Sequence, residues 1–189
     1  MELGKTLYVT NRKDWRSWLR KNHAKEKEIW LVYYRKSSGR PRIPYNDAVE
    51  DALCFGWIDS IQKGIDEERF AQRFTPRKWT SPLSEMNKER VRRLIKQGKM
   101  TNIGLKAVSR SFDMNIDRAE GFIIAQDILE PLKADEQAWK NFKRFPEGYT
   151  KVRIGYIESR RRHGDGMFQK SLRHFIEMTA KNKKFGMLK

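Results

Sequence analysis

The chain has little cysteine and no long apolar run. Cys54 is the single cysteine among 189 residues, so no intramolecular disulfide can form, which is typical of proteins kept in a reducing cytosol. No apolar stretch approaches the roughly 20 residues needed to cross a bilayer. The first residues, Met1–Lys5, lack the basic and then apolar pattern of a signal peptide. The sequence therefore predicts a cytoplasmic protein without a transmembrane segment.

Acidic residues are few relative to basic ones. The chain carries 41 Lys or Arg against 24 Asp or Glu, a formal charge of +17, with 38% hydrophobic and 12% aromatic residues. The aromatic content excludes the disordered class. Residues 140–189 hold 14 Lys or Arg and 4 Asp or Glu, that is +10 of the total. This asymmetry favours contact with phosphates, anionic lipid or acidic ligands and makes nucleic acid one possible partner.

The common catalytic and cofactor motifs are also missing. There is no Walker loop, G-x-G-x-x-G, G-x-S-x-G, H-E-x-x-H or paired C-x-x-C. His23, His163 and His174 share no metal-ligand spacing. These absences remove the commonest nucleotide-binding, hydrolase and zinc interpretations, and we predict no cofactor, no metal site and no catalytic residue.

Residues 1–115 are predicted to form an α+β domain, a small mixed sheet with helices packed on it. Strands are expected at 7–9 and 29–34, followed by a strand pair within 58–75 that turns near Lys63–Gly64. Asn11, Asn46, Ser84 and Thr101 are expected to cap helices at their N-termini. The element order β-α-β-α-β-β-α-α is typical of the α+β class.

A weakly patterned segment, 116–137, is predicted to connect this domain to an all-helical C-terminal subdomain. The subdomain covers 138–189 and is expected to hold three helices, the last two at about 149–162 and 165–181. Most of the excess positive charge falls within it.

The stretch from Ala52 to Ser60 combines unusual residue types at a predicted helix end. Free cysteine at a helix C-terminus is a poor thiolate, which favours a core role for Cys54. Asp59 gains nothing from the helix dipole there, and an arginine from the strand that contains Phe74 is its expected partner. One interpretation is a structural ion pair, and the other is a pocket for an anionic ligand. The residues of that hypothetical pocket are Trp57, Asp59, Arg73, Arg77, Lys78 and Asn87.

Two further functions stay open from the sequence. Basic residues of the C-terminal subdomain could bind a nucleic-acid backbone, although a solvated helical face is the favoured interpretation. They are Arg160, Arg161, Arg162, Lys170 and Arg173. An enzyme would need an acid or base, for which Asp59 or Glu89 would be the candidates. Trp79 follows Pro76-Arg77-Lys78 and is the tryptophan expected to be exposed to a partner.

Four segments together resemble the bacterial YdeI/OmpD-associated family, also called bacteriocin-protection proteins. They are Ala52–Ser60, Arg73–Arg77, Asn87–Val91 and Gly98–Thr101, and their order and spacing are similar to the family's. Departures occur at Pro82-Leu83, where an Asn-Trp pair is expected, and at Ser159–Asp165. The resemblance implies a stress or bacteriocin-protection role through binding an anionic small molecule or a protein partner, association with a porin, and no established catalytic mechanism.

Overall fold

The computed structural model describes residues 3–113 and 123–186, which form two compact units. The first unit contains described residues 3–82 and 90–113, and the second contains 83–89 and 123–186. The first unit holds a small mixed sheet with helices, and the rest of the chain that the structure describes is helical. This confirms the predicted α+β class with a helical C-terminal region.

The sheet of the first unit has four strands in the order β1-β2-β4-β3. β1 pairs in parallel with β2, while β4 pairs antiparallel with both β2 and β3. The strands are β1 Thr6–Tyr8, β2 Ile29–Tyr34, β3 Trp57–Gly64 and β4 Arg69–Pro76. The run 29–34 is therefore an interior strand, as its continuous apolar character predicts.

Helices of the first unit cover the core with their apolar stripes. They are α1 Arg12–Asn22, α2 Tyr45–Cys54, α3 Glu85–Lys96 and α4 Asn102–Val108. The first residues of α3, up to position 89, belong to the second unit. Trp15 of α1 is fully buried, and its ring centroid lies 5.4 Å from that of Phe74 in β4. The Asn11 side chain accepts from the Asp14 amide, and Thr101 accepts from Gly104. The Ser84 hydroxyl, directly before α3, accepts the Asn87 amide at 3.3 Å. Three of the four predicted N-terminal caps are thus confirmed directly.

The second unit adds four helices, α5 Gln126–Ala134, α6 Glu136–Phe142, α7 Glu147–Ser159 and α8 Asp165–Ala180. A 3₁₀ turn, Arg160–His163, follows α7. Phe168, Leu172 and Phe175 of α8 lie on one face and pack into a core with Ile128 and Leu132 of α5. The helical spacing of apolar residues in α8 predicts this face correctly.

Several local predictions are wrong. Asn46 lies inside α2, whose N-cap is Pro44. The strand pair turns at 65–68 rather than at Lys63–Gly64, because the Asp66 side chain accepts the amides of Glu68 and Arg69.

The described part of the segment predicted as a connector, 123–137, contains α5. This helix was missed because Pro131 lies inside it, and proline is normally a helix breaker. The domain boundaries at 115 and 138 stay a prediction, and residues 114–122 lie outside the described part.

Within residues 3–113 and 123–186, no helix is both long and apolar enough to cross a bilayer. In the same ranges no group of three or more His, Cys, Asp or Glu side chains is placed to hold a metal ion.

Cys54 lies in the core at the end of α2 with no exposed surface. Burial raises the pKa of its thiol, against the opposing effect of the nearby Arg16 guanidinium. At pH 8 we expect an aromatic disulfide reagent to modify Cys54 at least tenfold more slowly in the native protein than in guanidinium chloride. Equal rates, measured from thiolate release, would contradict this placement.

Candidate functional site

Trp57, the aromatic member of the predicted pocket, is a core residue. Its side chain is 1% exposed, and the indole Nε1–H donates to the His23 carbonyl oxygen at 3.1 Å. Its ring packs edge-on to Trp18, with 5.8 Å between centroids. A buried indole with a satisfied N–H contributes packing and has no face left for a ligand.

Asp59 and Arg73 do not pair with each other. The Tyr45 hydroxyl donates to Asp59 Oδ2 at 2.5 Å, whereas Arg73 donates through Nε and NH2 to Glu28 Oε2 at 2.8 and 2.5 Å. The expected arginine partner of Asp59 is therefore wrong. Asp59 lies opposite Phe74 in the β3–β4 pair. Because neighbouring residues of one strand point to opposite faces of the sheet, Arg73 points away from the face that carries Asp59.

Arg77 is a structural residue in this fold. Its guanidinium donates to the carbonyl oxygens of Lys78 at 2.9 Å, Ala107 at 3.4 Å and Ser81, and to Ser111 Oγ at 3.3 Å. Burial lowers its pKa. These neutral acceptors tie the 77–81 loop to the C-terminal end of α4.

The remaining members of the predicted pocket are Lys78 and Asn87. The Lys78 side chain is exposed, and Asn87 lies in the first turn of α3, which belongs to the second unit. The six-residue set stays a prediction as a ligand site, and the geometry favours a different place. Trp79, predicted to be exposed, is 57% exposed, with the Arg110 guanidinium 4.1 Å from its ring centroid.

Some arginines of the basic run 160–162 already form hydrogen bonds with other side chains of the protein. Arg161 forms two 2.8 Å hydrogen bonds with the Asp127 carboxylate and another at 2.6 Å with Glu158. Arg162 Nε contacts His163 Nε2 at 3.1 Å. Arg173 is exposed on α8. Nucleic-acid binding by this set stays a prediction, and fewer free cations support it than the sequence indicates.

The second unit contains a groove of about 1050 Å³, which we call the α7–α8 groove. Its volume is at the upper end of the range of about 300–1,000 Å³ typical of small-molecule sites. The lining comes from 83–86 at the start of α3, α7 with its 3₁₀ turn, α8, and Phe185-Gly186. It comprises Leu83, Ser84, Glu85, Met86, Val152, Arg153, Gly155, Tyr156, Glu158, Ser159, Arg160, Met167, Lys170, Ser171, His174, Phe185 and Gly186.

Two guanidinium groups lie close to one aromatic ring in the groove. The Cζ atoms of Arg153 and Arg160 are 4.9 and 4.8 Å from the ring centroid of Tyr156, which is 40% exposed. The spacing i, i+3, i+7 places all three side chains on one face of α7 and its 3₁₀ extension. The two positive groups are therefore held beside an accessible aromatic surface.

Arg153 is a buried cation without an acceptor. It is 8% exposed, its Nε is buried without a hydrogen-bond partner, and no hydrogen bond joins its guanidinium to any residue that the structure describes. Burial lowers its pKa. The Phe185 ring, whose centroid is 3.9 Å from Cζ, compensates in part. The Nε of Arg160 is likewise buried without a partner in these ranges.

The carboxylates in the groove are already paired. Glu158 binds Arg161, and Glu85 lies 3.1 Å from Lys88. They therefore do not neutralise Arg153 or Arg160, and Lys170 and His174 on α8 add further basic character. The groove can accept a negatively charged group.

The segment after α8 lines the groove beside Arg153. The Phe185 amide donates to the Tyr149 hydroxyl oxygen at 3.1 Å, and the Phe185 ring lies edge-on to His174, with 4.6 Å between centroids. α3 approaches α7 closely at Gly155, where a methyl group would lie 2.6 Å from Glu85 Cγ. Close packing thus shapes the groove at both of these places.

A family profile matches part of this chain. The profile described as Domain of unknown function (DUF8412) matches residues 7–107, just over half of the sequence. The chain belongs to the DUF8412 family. No curated protein and no solved structure matches it.

Membership of DUF8412 overturns the resemblance to YdeI/OmpD-associated proteins. The motifs behind that resemblance have structural roles in this fold. Gly56 ends α2 with a φ of 73°, Trp57 is in the core, and Thr101 caps α4. A helix end, a buried indole and a capping threonine are general packing devices, so they do not distinguish families. The match ends at residue 107, so the groove residues of 83–86 lie within it and those of 152–186 lie outside it.

Sequence reasoning identified two groove residues, Arg160 and Lys170, but missed Arg153, Tyr156 and His174. The available signal was the Arg-x2-Tyr-x3-Arg spacing on a predicted helix. The consecutive basic residues 160–162 do not indicate this face, because neighbouring residues point in different directions around a helix.

Proposed function

We propose that this DUF8412 protein is a binding protein for an anionic ligand, with the α7–α8 groove as its site. The observation that carries the proposal is Arg153, a buried guanidinium for which the described residues provide no acceptor. A buried N–H donor without an acceptor is unfavourable by about 1–3 kcal/mol. A bound anion would supply the missing acceptors.

The groups around Arg153 support the same function. Arg160 provides a second guanidinium with an unpartnered Nε, and Tyr156 keeps both in place. The planar fork of arginine suits carboxylate, sulfonate or phosphate oxygens. Binding is proposed here without chemistry, because no lining serine that the structure describes forms a hydrogen bond with a histidine or carboxylate side chain.

Anilinonaphthalene sulfonate, an apolar anion, is the probe that tests this function. We expect saturable fluorescence enhancement, and an Arg153→Met variant should raise the probe Kd about 10-fold, since a hydrogen bond to a charged group contributes about 1.5–3 kcal/mol. Methionine keeps the unbranched apolar stem of arginine, which limits the loss of packing.

Arg173→Met is the matched control. It removes the same charge from the same unit, but Arg173 is exposed and does not line the groove. Its probe Kd should change less than 2-fold at about 0.1 M salt, where the charge is screened beyond roughly 10 Å. Equal losses in the two variants, or none in Arg153→Met, would contradict the proposal.

A further inference from the structure

Apolar side chains make up a large part of the lining of the α7–α8 groove. Leu83, Met86, Val152 and Met167 line it together with the rings of Tyr156 and Phe185. Methionine side chains are flexible and adapt to ligands without a fixed shape. A lone phosphate or carboxylate would leave this apolar surface uncovered.

The charge distribution in the groove is suited to one negative group. The Cζ atoms of Arg153 and Arg160 both lie within 5 Å of the Tyr156 ring centroid, so the two guanidinium groups form one cluster of positive charge. Glu85 and Glu158 also border the groove. A polyanion running along the groove would meet these carboxylates, whereas a single head group would meet only the cations.

We infer that the ligand is an amphipathic anion, an alkyl or acyl chain that carries one carboxylate or phosphate head group. The head group binds Arg153 and Arg160, and the chain lies against the apolar wall that includes Met86 and Met167. This inference rests on the proposed function and specifies the ligand class for the same groove. The volume of about 1050 Å³ leaves room for a chain of this kind beside the head group.

Displacement of bound anilinonaphthalene sulfonate by three simple compounds tests the inference. Decanoate, which has both head and chain, should bind at least 10-fold more tightly than acetate, which lacks the chain, and than decanol, which lacks the charge. Decyl phosphate should displace the probe comparably to decanoate. If acetate or inorganic phosphate competes as well as decanoate, the amphipathic class is wrong while anion binding stands. If Arg153→Met does not weaken binding of the probe, the proposed function itself is wrong, and not only the ligand class.

A second variant keeps the test independent of Arg153. Met167 is exposed by 41% and lies on the groove wall, so Met167→Glu should fold and should weaken decanoate binding about 10-fold or more. Gln169→Glu adds the same charge to the same helix outside the groove and should have less than a 2-fold effect. Equal effects of the two substitutions would overturn the inference.

The amphiphile could be a free monomer or a membrane lipid, and vesicles separate these sources. Co-sedimentation with dioleoylphosphatidylglycerol vesicles that is lost in Arg153→Met would assign the head group to a bilayer lipid. Decanoate binding below its micelle concentration with no Arg153-dependent co-sedimentation would assign a free monomer. If the protein binds neither decanoate nor the vesicles, the inference is wrong.

Discussion

Replacing Asp51 by asparagine is expected to lower the free energy of unfolding of the first unit by about 3 kcal/mol. Asp51 is 1% exposed and its carboxylate accepts three hydrogen bonds. Arg12 donates from Nε at 3.0 Å and from NH2 at 2.9 Å, and Arg16 donates from NH1 at 3.0 Å. These hydrogen bonds raise the pKa of the Arg12 guanidinium.

An amide at position 51 has the same shape but no charge, so both guanidinium groups would lose their common counter-ion. The expected loss is at the lower end of the range of about 3–5 kcal/mol for breaking a buried pair, because Arg12 keeps Asp47 at 3.2 Å and Glu50 at 3.3 Å. Guanidinium denaturation followed by tryptophan fluorescence measures it well, since Trp15, Trp18, Trp30, Trp57 and Trp79 all lie in the first unit.

Asp66→Asn is the control for Asp51→Asn. Asp66 forms an exposed ion pair with Arg69, and an asparagine oxygen can still accept the amides of Glu68 and Arg69. Exposed pairs contribute little to stability, so the denaturation midpoint should stay close to that of the native sequence. Similar midpoints for the two variants would show that Asp51 does not connect α1 and α2 energetically.

Replacing Gly104 by alanine is expected to destabilise the first unit by about 3 kcal/mol, at the upper end of the cost of overpacking. A methyl group there would lie 2.7 Å from the Cys54 carbonyl carbon and 2.8 Å from the Leu53 carbonyl oxygen. These are backbone atoms at the end of α2, which cannot rotate away. Thr101 Oγ1 donates to the Cys54 carbonyl at 2.5 Å, so separating the helices would also strain this bond.

The direction of the stability change in Gly104→Ala distinguishes close packing from helix propensity. In an unhindered helix, alanine is more favourable than glycine by about 1 kcal/mol. Gly166 provides that comparison, because a methyl group on this α8 residue would meet nothing within 4 Å. Circular dichroism should show Gly166→Ala neutral or stabilising and Gly104→Ala destabilising. Stabilisation by both substitutions would mean that α4 does not contact the end of α2 closely.

Local sequence signals predicted most elements of the fold. The interior strand β2, the caps at Asn11 and Thr101, and the helical face of α8 all follow from residue type and spacing. The missed helix α5 contains Pro131. Its apolar residues Ile128 and Leu132 are buried in the second unit, and this burial compensates for a residue that is unfavourable inside a helix.

The sequence by itself determined the α+β class, the buried position of Cys54 and the basic character of the C-terminal region. These depend on composition and on neighbours a few residues apart. Only the tertiary structure decided that Asp59 binds Tyr45, that Arg73 binds Glu28, and that Arg153 has no acceptor among the described residues. Such partners are 14 or 45 residues apart in these pairs, and an arginine's partner depends on which elements the fold brings beside it. The site that we propose is therefore the α7–α8 groove and not the end of α2, where the sequence predicted one.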